Sequence, residues 1–494
     1  MDKEIGTELR KDILPFVMPV MAEQALITLM GLAGAIMATS VGAGAASAIG
    51  LVNVISNFVQ AVISSLALGG TVAVARYSGS GSLKTARRAA AQSVSYLTLF
   101  GAILGLAICL SAGPIVDLLY GASEAGVRRD AARYLAISAS GYPLLAFTLA
   151  ASGVLRGSGD SRSSMIVNIA MNLINVVAGR VLIMGISAGG SPVVPVMGAT
   201  GAAIALDIAR LGGSLLFLRA LLPTEKTLRS RSRLSSERAP PKADTVHRGV
   251  ALSPGMLMKP GRDLLGGIMS VAMPAAAESV MFNGGKIITQ TFLAGFGTSS
   301  IAADYLANSI ASIAQVPVSS VNIAIPALVG AALGAGSHRK AIIRMRASVW
   351  LGSLGMAAVC IVCYPLAPAM MGAASKDPAA LDLAIWLFRS FLIASPLLWA
   401  LAFVIPSGLR GAGDGRHTMV IALISMWTAR VGGGWLLSGP MKMGVRGIWI
   451  AMYLDWIVRA VFYVYRWISG KWLHATPSAD GAAASEEIAA AKLR

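Results

Sequence analysis

Long apolar stretches occupy most of this 494-residue chain and constrain its fold more than any other feature of the sequence. A helix that spans a lipid bilayer needs roughly twenty consecutive apolar residues. Two sets of six such runs occur, near 13–38, 48–75, 89–112, 132–155, 163–187 and 197–221, and near 264–293, 302–331, 343–368, 383–406, 418–438 and 446–467. Charged residues make up only 13% of the chain, against about a quarter in soluble domains. The sequence therefore predicts an all-α polytopic membrane protein with about twelve transmembrane helices.

The distribution of basic residues predicts the orientation of these helices. The net charge is +18, but Lys and Arg occupy short connectors rather than a face interleaved with aromatic residues, which argues against nucleic-acid binding. Positively charged connectors stay on the cytoplasmic side of a membrane. Basic connectors alternate along the chain with connectors of few or balanced charges. The basic connectors contain Lys84, Arg87, Arg88, Arg156, Arg162, Arg339, Lys340, Arg410 and Arg416. We therefore expect a cell-membrane protein with both termini in the cytoplasm, which requires an even number of spans.

The two halves of the chain repeat each other in sequence. Pro19 and Glu23 recur as Pro274 and Glu278, at an offset of 255 residues (274 − 19 and 278 − 23). The stretch RGSGD at 156–160 recurs as RGAGD at 410–414, at an offset of 254 (410 − 156). Each half has an even number of spans, so the repeats are predicted to be parallel and related by an axis along the membrane normal.

These repeats set the predicted domain boundaries. We expect an amino-terminal six-helix lobe over 1–221, a cytoplasmic basic linker over 222–262, a carboxyl-terminal six-helix lobe over 263–473 and a disordered cytoplasmic tail over 474–494. The linker is rich in Pro, Ser and charge and has no apolar periodicity, so the prediction is a solvated loop whose positive charge fixes the topology. Phosphorylation of this linker, or lipid binding by it, is the alternative.

Several motifs resemble those of a known transporter family. The loops GVLRGSGDSR (153–162) and SGLRGAGDGR (407–416) are similar to the R-G-x-G-D-x-R loops of the MATE (multidrug and toxin extrusion) family. The resemblance extends over essentially the whole chain through PVMAEQ (19–24), ARYSGSGSLKTARR (75–88), GIWIAMYLDWIVRA (447–460) and RWISGKW (466–472). It implies two six-helix lobes, outward- and inward-facing states, and export of organic, often cationic compounds driven by a proton or sodium gradient.

The two charged loops are themselves expected to be structural. Arg156 and Asp160, and likewise Arg410 and Asp414, are opposite charges within a glycine-rich connection between two helices. Glycine permits the positive φ that a tight turn requires, and the charges can cap helix ends. We therefore expect an anchored turn in each half and place neither loop in the transport site. A gating role for these loops is the alternative.

A polar stripe on the seventh predicted span is the strongest candidate site. Ionisable groups in lipid are costly unless they are paired or hydrated, so each is a candidate for function. Glu278, Asn283, Lys286 and Gln290 share one side of a helix, and we interpret Glu278 as the proton- or cation-responsive carboxylate with Lys286 as its partner. The resemblance supports this role, because family members often have a carboxylate on this helix; the alternative is a structural ion pair. Asp304, which opens the eighth span, either pairs with Lys286 or lies at the water interface.

The amino-terminal lobe departs from the family pattern. The resemblance implies acidic residues on the first and fifth spans, where this chain has Gly34 and Gly179. A proton therefore fits better than sodium as the counter-ion, since sodium sites need several oxygen ligands. On the sixth span, Asp207 is expected to form a fixed salt bridge with Arg180 of the fifth, with Arg210 one turn further on. The alternative is that protonation of Asp207 breaks the bridge and triggers the conformational change.

Other charged or reactive side chains in the apolar runs are expected to be structural. Asp455 and Arg459 are four residues apart and suit an ion pair within one helix. Arg430 is expected to pair with a carboxylate of the same lobe. Cys360 and Cys363 form a CxxC, but no second cysteine pair or nearby histidine in the sequence completes four metal ligands. No metal or cofactor is therefore expected.

Three classes of function fit such a chain. The first is a secondary-active efflux antiporter for drugs or metabolites, coupled to protons through Glu278 and working by alternating access of two lobes. The second is a flippase or facilitator for lipid-linked intermediates or metabolites, which the cations Arg180, Arg210, Lys286 and Arg430 would suit. The third, a membrane receptor or scaffold, is disfavoured because the sequence shows no recognisable sensor domain. An ATP-driven pump or other enzyme is not expected, because the sequence has no GxxxxGK[ST] loop. We expect a monomer among membrane lipids with a small organic substrate.

Overall fold

The computed structural model describes residues 2–39, 43–121, 124–188, 191–222, 252–258, 260–374 and 378–474. Most of the predicted linker and almost all of the predicted tail lie outside these ranges. Nearly all described residues are helical, which confirms the predicted all-α class. The exception is one antiparallel hairpin of β1 (Ile186–Ala188) and β2 (Ser191–Val194), in which residue 186 pairs with residue 194.

Most helices follow one another with short connections; the exception is the linker between Leu221 and Pro254. In chain order they are α1 (Asp2–Glu8), α2 (Leu14–Thr39), α3 (Ala43–Gly79), α4 (Leu83–Leu110), α5 (Ala112–Tyr120), α6 (Ala125–Ser140), α7 (Tyr142–Gly157), α8 (Ser161–Met184), α9 (Gly198–Leu221), α10 (Pro254–Met258), α11 (Leu265–Ala294), α12 (Thr298–Ala314), α13 (Val316–Gly334), α14 (His338–Ala374), α15 (Pro378–Trp399), α16 (Ile405–Gly411), α17 (Gly415–Ser425), α18 (Gly433–Ser438) and α19 (Gly444–Ile468). Three π-helical segments join neighbouring helices, at Leu9–Ile13, Ala400–Val404 and Met426–Gly432, and a 3-10 turn follows α19 at Lys471–His474.

The number of membrane spans agrees with the sequence. The described residues contain 11 helices that are long and apolar enough to cross a membrane, and up to 12 spans if the bent pair α6–α7 is counted as one. This confirms the prediction of about twelve. The predicted run 302–331 is divided between α12 and α13, because the chain breaks at Gln315 before Pro317. Proline fits the first turn of a helix, where its missing N–H costs no helical hydrogen bond.

A bend of 47° separates α6 from α7. Gly141 lies at the break, and a proline occupies the first turn of α7. A Cβ at Gly141 would overlap the carboxylate of Asp207 and crowd the guanidinium of Arg210. Glycine at the bend therefore allows Asp207 and Arg210 of α9 to pack directly against the backbone between α6 and α7.

One compact unit of the chain comprises Leu26–Ser78 and Ser82–Ala272. Within it, α4 packs against α7, and α9 packs against α6, α7 and α8. Its buried core is rich in alanine and valine, with members such as Ala90, Val94, Ala146 and Val154. Lipid provides little hydrophobic drive for helix association, so small residues that allow close helix packing stabilise such a bundle.

The other compact unit comprises Met1–Ala25, Gly79–Gly81 and Met273–Arg494. Within it, α14 packs against α13 and α15, while α12 packs against α15 and α18 packs against α19. The lobe boundaries inferred from the repeat, at 1–221 and 263–473, stay predictions.

Ion pairs fix the amino-terminal helix against α14 within this unit. Arg344 Nη2 lies 2.7 Å from Asp12 Oδ2, and its Nε lies 3.3 Å from Glu8 Oε2. Arg339 Nη2 contacts both carboxylate oxygens of Glu4, at 2.7 and 2.8 Å. These contacts join residues more than 300 positions apart, which explains why Met1–Ala25 groups with the second half of the chain. Sequence reasoning did not identify them.

Both glycine-rich loops form the tight turns expected from the sequence. Gly159 has a φ of 91° and Gly413 a φ of 84°, in the region that strains residues with a Cβ. Asp160 follows the first turn and caps α8, since its Oδ1 accepts the backbone N–H of Ser163 at 2.9 Å. The expected helix cap is thus confirmed for the first loop.

Candidate functional site

The carboxylate of Glu278 on α11 pairs with the guanidinium of Arg410 on α16. Arg410 Nη1 lies 2.8 Å from Glu278 Oε2. The side chain of Glu278 is 14% exposed and that of Arg410 is 15% exposed. Arg410 Nη2 also donates to Ser407 Oγ at 3.2 Å, which orients the guanidinium. A partly buried carboxylate therefore depends on a cation in the last turn of α16, directly before the glycine-rich turn to α17.

One sequence-based expectation about Glu278 is wrong. Lys286 was expected to be its partner, but eight residues along an α-helix correspond to a rise of about 12 Å, which is too far for an ion pair. The partner is Arg410, from the charged motif that was expected to lie outside the transport site, with gating as the alternative.

The other half of that motif forms a separate polar cluster. Asp414 is buried and does not pair with Arg410. Its Oδ2 accepts Arg466 Nε at 2.6 Å, and its Oδ1 contacts His417 Nδ1 at 2.6 Å. Asp414 therefore ties the start of α17 to the end of α19, whereas its repeat mate Asp160 caps its own helix. The repeated sequence motif has diverged in its contacts.

A second charged cluster surrounds Asp455 on α19. This side chain is fully buried, with Arg459 Nε 2.8 Å from Oδ1 and Arg430 Nη1 3.8 Å from Oδ2. Ser425 also donates its hydroxyl to Oδ1. The ring of Phe282 lies under both guanidinium groups, 5.7 Å from Arg430 and 5.3 Å from Arg459. The expected pair of Asp455 with Arg459 and the expected carboxylate partner of Arg430 are confirmed.

Asp304 on α12 is held by neutral donors. Trp449 Nε1 donates to its Oδ1 at 2.8 Å, and Gln290 Nε2 donates to its Oδ2 at 3.3 Å. The side chain is 8% exposed, which argues against the open water interface that was one expectation for it. The stripe residue Gln290 thus contacts Asp304, whereas Asn283 donates to the carbonyl of Ser279 on its own helix at 2.8 Å.

Lys286 lies on the exposed side of this cluster. Its ammonium interacts electrostatically with the carboxylate of Asp304 and with the guanidinium of Arg430. Within the described ranges it forms no direct ion pair, so the expected pair with Asp304 exists only as a longer-range attraction. The structure therefore places Lys286, Gln290 and Asp304 together in one cluster and leaves Glu278 in another.

In the other unit, Asp207 pairs with Arg210 on the same helix. Arg210 Nη1 lies 2.9 Å from Asp207 Oδ1 and also donates to the carbonyl of Ser138 at 2.9 Å. Ser140 Oγ contacts the second carboxylate oxygen at 3.5 Å. The expectation that Arg180 is the partner of Asp207 is wrong: a guanidinium one turn away reaches the carboxylate beside Gly141, while Arg180 on α8 is exposed.

The two positions at which the family pattern implies carboxylates are glycines inside helices. Gly34 lies in α2 and Gly179 is buried in α8. No group of three His, Cys, Asp or Glu side chains suited to a metal ion occurs within the described ranges. Cys360 and Cys363 are buried free thiols, and Cys360 Sγ lies 3.6 Å from Ser395 Oγ.

Arg410 is a candidate that was expected to lie outside the transport site, with gating as the alternative. A signal for it was present, since Glu278 and Arg410 recur in the sequence as Glu23 and Arg156 at nearly the same offset. A carboxylate inside one apolar run and a cation just after another, when they repeat together, are candidates for a pair, although the repeat alone does not identify the contact.

Comparisons with known proteins agree with this architecture. The MatE family model matches residues 19–181 and 274–436, two segments of equal length at the offset of the internal repeat. The chain is 26% identical over 481 residues to the "probable multidrug resistance protein NorM" of Thermotoga maritima, covering 96% of this chain and 95% of that protein. It is 26% identical over 452 residues to the "multidrug resistance protein PmpM" of Pseudomonas aeruginosa, covering 89% and 87%.

Solved structures show the same fold. The structure titled "outward-facing conformation of a multidrug resistance MATE family transporter of the MOP superfamily" matches with a TM-score of 0.79 and 20% identity, covering 94% of this chain and 96% of that one. A MOP superfamily transporter from Pyrococcus furiosus, whose title reports a "reverse polarity of binding pocket", matches with a TM-score of 0.79 and 19% identity, covering 95% and 99%.

Proposed function

The chain belongs to the MatE family, and on that premise we propose that it is a secondary-active antiporter that exports small organic compounds in exchange for protons. Two relatives of similar length are named multidrug resistance proteins, which supports export of organic compounds. The observation that carries the proposal is the pair of Glu278 with Arg410 inside the helices. The chain would work by alternating access, with protons as the driving ion.

The Glu278–Arg410 pair can convert protonation into movement. A proton on Glu278 removes its negative charge and therefore the attraction to Arg410, which leaves a partly buried guanidinium without its partner. An unpaired charge in such a place is unfavourable, so protonation favours a movement of the end of α16 that returns Arg410 to a partner or to water. Because the glycine-rich turn joins α16 to α17, a change at one carboxylate is transmitted to two helices.

The donors around the intramembrane carboxylates support a proton over sodium. Glu278 and Asp455 already contact guanidinium groups, and Asp304 accepts two N–H donors. A sodium ion at any of them would have to displace these donors to gain several oxygen ligands. A proton binds to a single carboxylate oxygen.

A flippase or facilitator of lipid-linked intermediates or metabolites is the second candidate. One observation favours it: the helices of the Met273–Arg494 part have a cluster of four cations, Lys286, Arg410, Arg430 and Arg459. Such a protein would move its substrate down the substrate's own gradient, so the two candidates differ in their dependence on protons.

We also propose that the protein functions as a monomer in the cell membrane, with both termini in the cytoplasm. The basic connectors support this orientation. Cysteine accessibility at an added terminal cysteine, measured in intact cells and in lysed cells, would test it.

Transport in proteoliposomes tests the proposed function. Vesicles with an acidic interior are mixed with a fluorescent organic compound, and its accumulation is compared with and without sodium and with and without a protonophore. Accumulation that needs the pH gradient but no sodium supports a proton antiporter. Equilibration without accumulation, whatever the gradient, would instead identify a facilitator or flippase.

A further inference from the structure

The charges around Lys286 identify the chemical class of compound that the protein carries. We propose that the ammonium of Lys286 binds an anionic group of the transported compound, so that aromatic organic anions are substrates. This inference rests on the proposed export function and deepens it, since it names the substrate class. It departs from the organic cations that the family resemblance implies.

The charged cluster around Asp455, Asp304 and Glu278 has more cations than carboxylates. Its clustered cations are Lys286, Arg410, Arg430 and Arg459, and its clustered carboxylates are Glu278, Asp304 and Asp455. Direct ion pairs at 2.8 Å neutralise Glu278 with Arg410 and Asp455 with Arg459. The positive charges left are Arg430, which is 3.8 Å from an aspartate already paired, and Lys286.

Asp304 does not neutralise Lys286 by direct contact. Its two carboxylate oxygens accept hydrogen bonds from Trp449 Nε1 and Gln290 Nε2, and the Lys286 ammonium interacts with this carboxylate only at longer range. Arg430 is also close enough to repel the ammonium. An ammonium offers three N–H donors and is costly in a membrane protein without a partner. A ligand oxygen with negative charge would meet that need.

The position of Lys286 makes it accessible to a ligand. Its side chain is exposed, unlike the buried Arg459 and the partly buried Arg410 and Arg430. Gln290, one helical turn further on, is exposed beside it and can donate a hydrogen bond. Phe282, one turn before it, lies under the guanidinium of Arg430. Cations next to an aromatic ring suit a compound with an aromatic body and one negative group.

An organic cation meets the opposite environment at this place. It would approach Lys286 and Arg430, which outnumber Asp304, the one nearby carboxylate that has no direct ion pair. Like charges disfavour such binding, so discrimination between anions and cations is the expected consequence.

A matched pair of probes tests this inference. Pyrenesulfonate and (pyrenylmethyl)trimethylammonium share one aromatic body and differ in the sign of their charge, and neither charge changes with pH. Equilibrium binding of each probe to the full-length purified protein is measured by fluorescence, and transport of each is measured in proteoliposomes. The variants are Lys286→Gln, which removes the charge, and Lys286→Arg, which keeps it. Lys471→Gln, in the exposed turn after α19, is the control for loss of a lysine.

We expect the wild type to bind and transport pyrenesulfonate in preference to the cation. Lys286→Gln should weaken pyrenesulfonate binding by about tenfold, as expected for one lost charge-assisted hydrogen bond, and leave cation binding unchanged or stronger. Lys286→Arg and Lys471→Gln should stay close to the wild type. Unchanged pyrenesulfonate binding in Lys286→Gln, or a wild type that prefers the cation, would overturn the inference.

The two readouts separate this inference from the export function. If neither probe responds to the pH gradient in the wild type, proton-coupled export fails, and the binding measurement alone decides the role of Lys286. If only the cation is driven by the gradient and Lys286→Gln does not affect it, export holds and the anion inference fails. Retention of the variants' folded state is checked by thermal unfolding in detergent.

Discussion

Arg410 Nη1 lies 2.8 Å from Glu278 Oε2, although 132 residues separate the two along the chain. Both side chains are mostly buried, and each is the ion-pair partner of the other. The pair joins the helix with the strongest sequence-based candidate to a glycine-rich motif that was expected to be structural, with gating as the alternative. The contact makes the motif part of the candidate coupling site.

Removing either member of this pair should destabilise the protein. Glu278→Gln or Arg410→Gln leaves the remaining charge without its partner, at an expected cost of about 3–5 kcal/mol for a buried pair. The double variant should recover part of that loss, because no uncompensated charge remains. Thermal unfolding in detergent measures all three. If the stability loss of the double variant equals the sum of the two single losses, the pair contributes no coupling energy.

Asp455 is predicted to be the most sensitive carboxylate for stability. Asp455→Asn leaves Arg459 and Arg430 close together and without compensation, again at an expected cost of about 3–5 kcal/mol. Asp117→Asn, at a carboxylate with 63% of its side chain exposed, is the control and should change the unfolding temperature little. Similar unfolding temperatures for both variants would contradict the buried cluster.

The bend at Gly141 should not tolerate a side chain. In Gly141→Ala the added Cβ overlaps Asp207 and crowds Arg210, and such overpacking typically costs about 1–3 kcal/mol. Gly126→Ala is the matched control in the preceding helix, since a Cβ there meets no atom within 4 Å. Comparison of the two unfolding temperatures checks this. An equal effect at both positions would mean that Asp207 does not approach the bend.

The basic linker should be dispensable for folding. The backbone N–H of Leu252 donates to the carbonyl of Leu221 at 2.8 Å. The two residues that flank the linker are therefore in contact within one unit. Replacing residues 226–247 with a short Gly/Ser/Arg segment should therefore preserve expression, thermal stability and transport. Loss of transport with retained stability would assign the linker a function beyond topology.

The sequence was sufficient for those features that depend on local pattern. The apolar runs predicted the spans, the repeat predicted the matching halves, and the glycines predicted turns with positive φ at Gly159 and Gly413. The ion pair between Asp455 and Arg459 was predictable because four residues along one helix fix the distance.

Contacts between helices could not be predicted in the same way. Glu278 was assigned to Lys286 because both lie on one helix, whereas packing brings Arg410 to it from another. Asp207 was assigned to Arg180 across two helices, whereas the bend at Gly141 leaves Arg210 as its partner. Several cations could reach each carboxylate. The one that does depends on how the helices are rotated and on where a single glycine lets two helices come close, and one sequence does not specify either.

Proton-driven accumulation by Glu278→Gln decides whether this carboxylate couples transport to protons. Wild type, Glu278→Gln and Asp117→Asn are reconstituted in vesicles with an acidic interior, and uptake of one fluorescent compound is measured against its equilibrium level. We expect wild type and Asp117→Asn to accumulate the compound above equilibrium, while folded Glu278→Gln at most equilibrates it. Accumulation by Glu278→Gln equal to that of the wild type would contradict coupling through the Glu278–Arg410 pair.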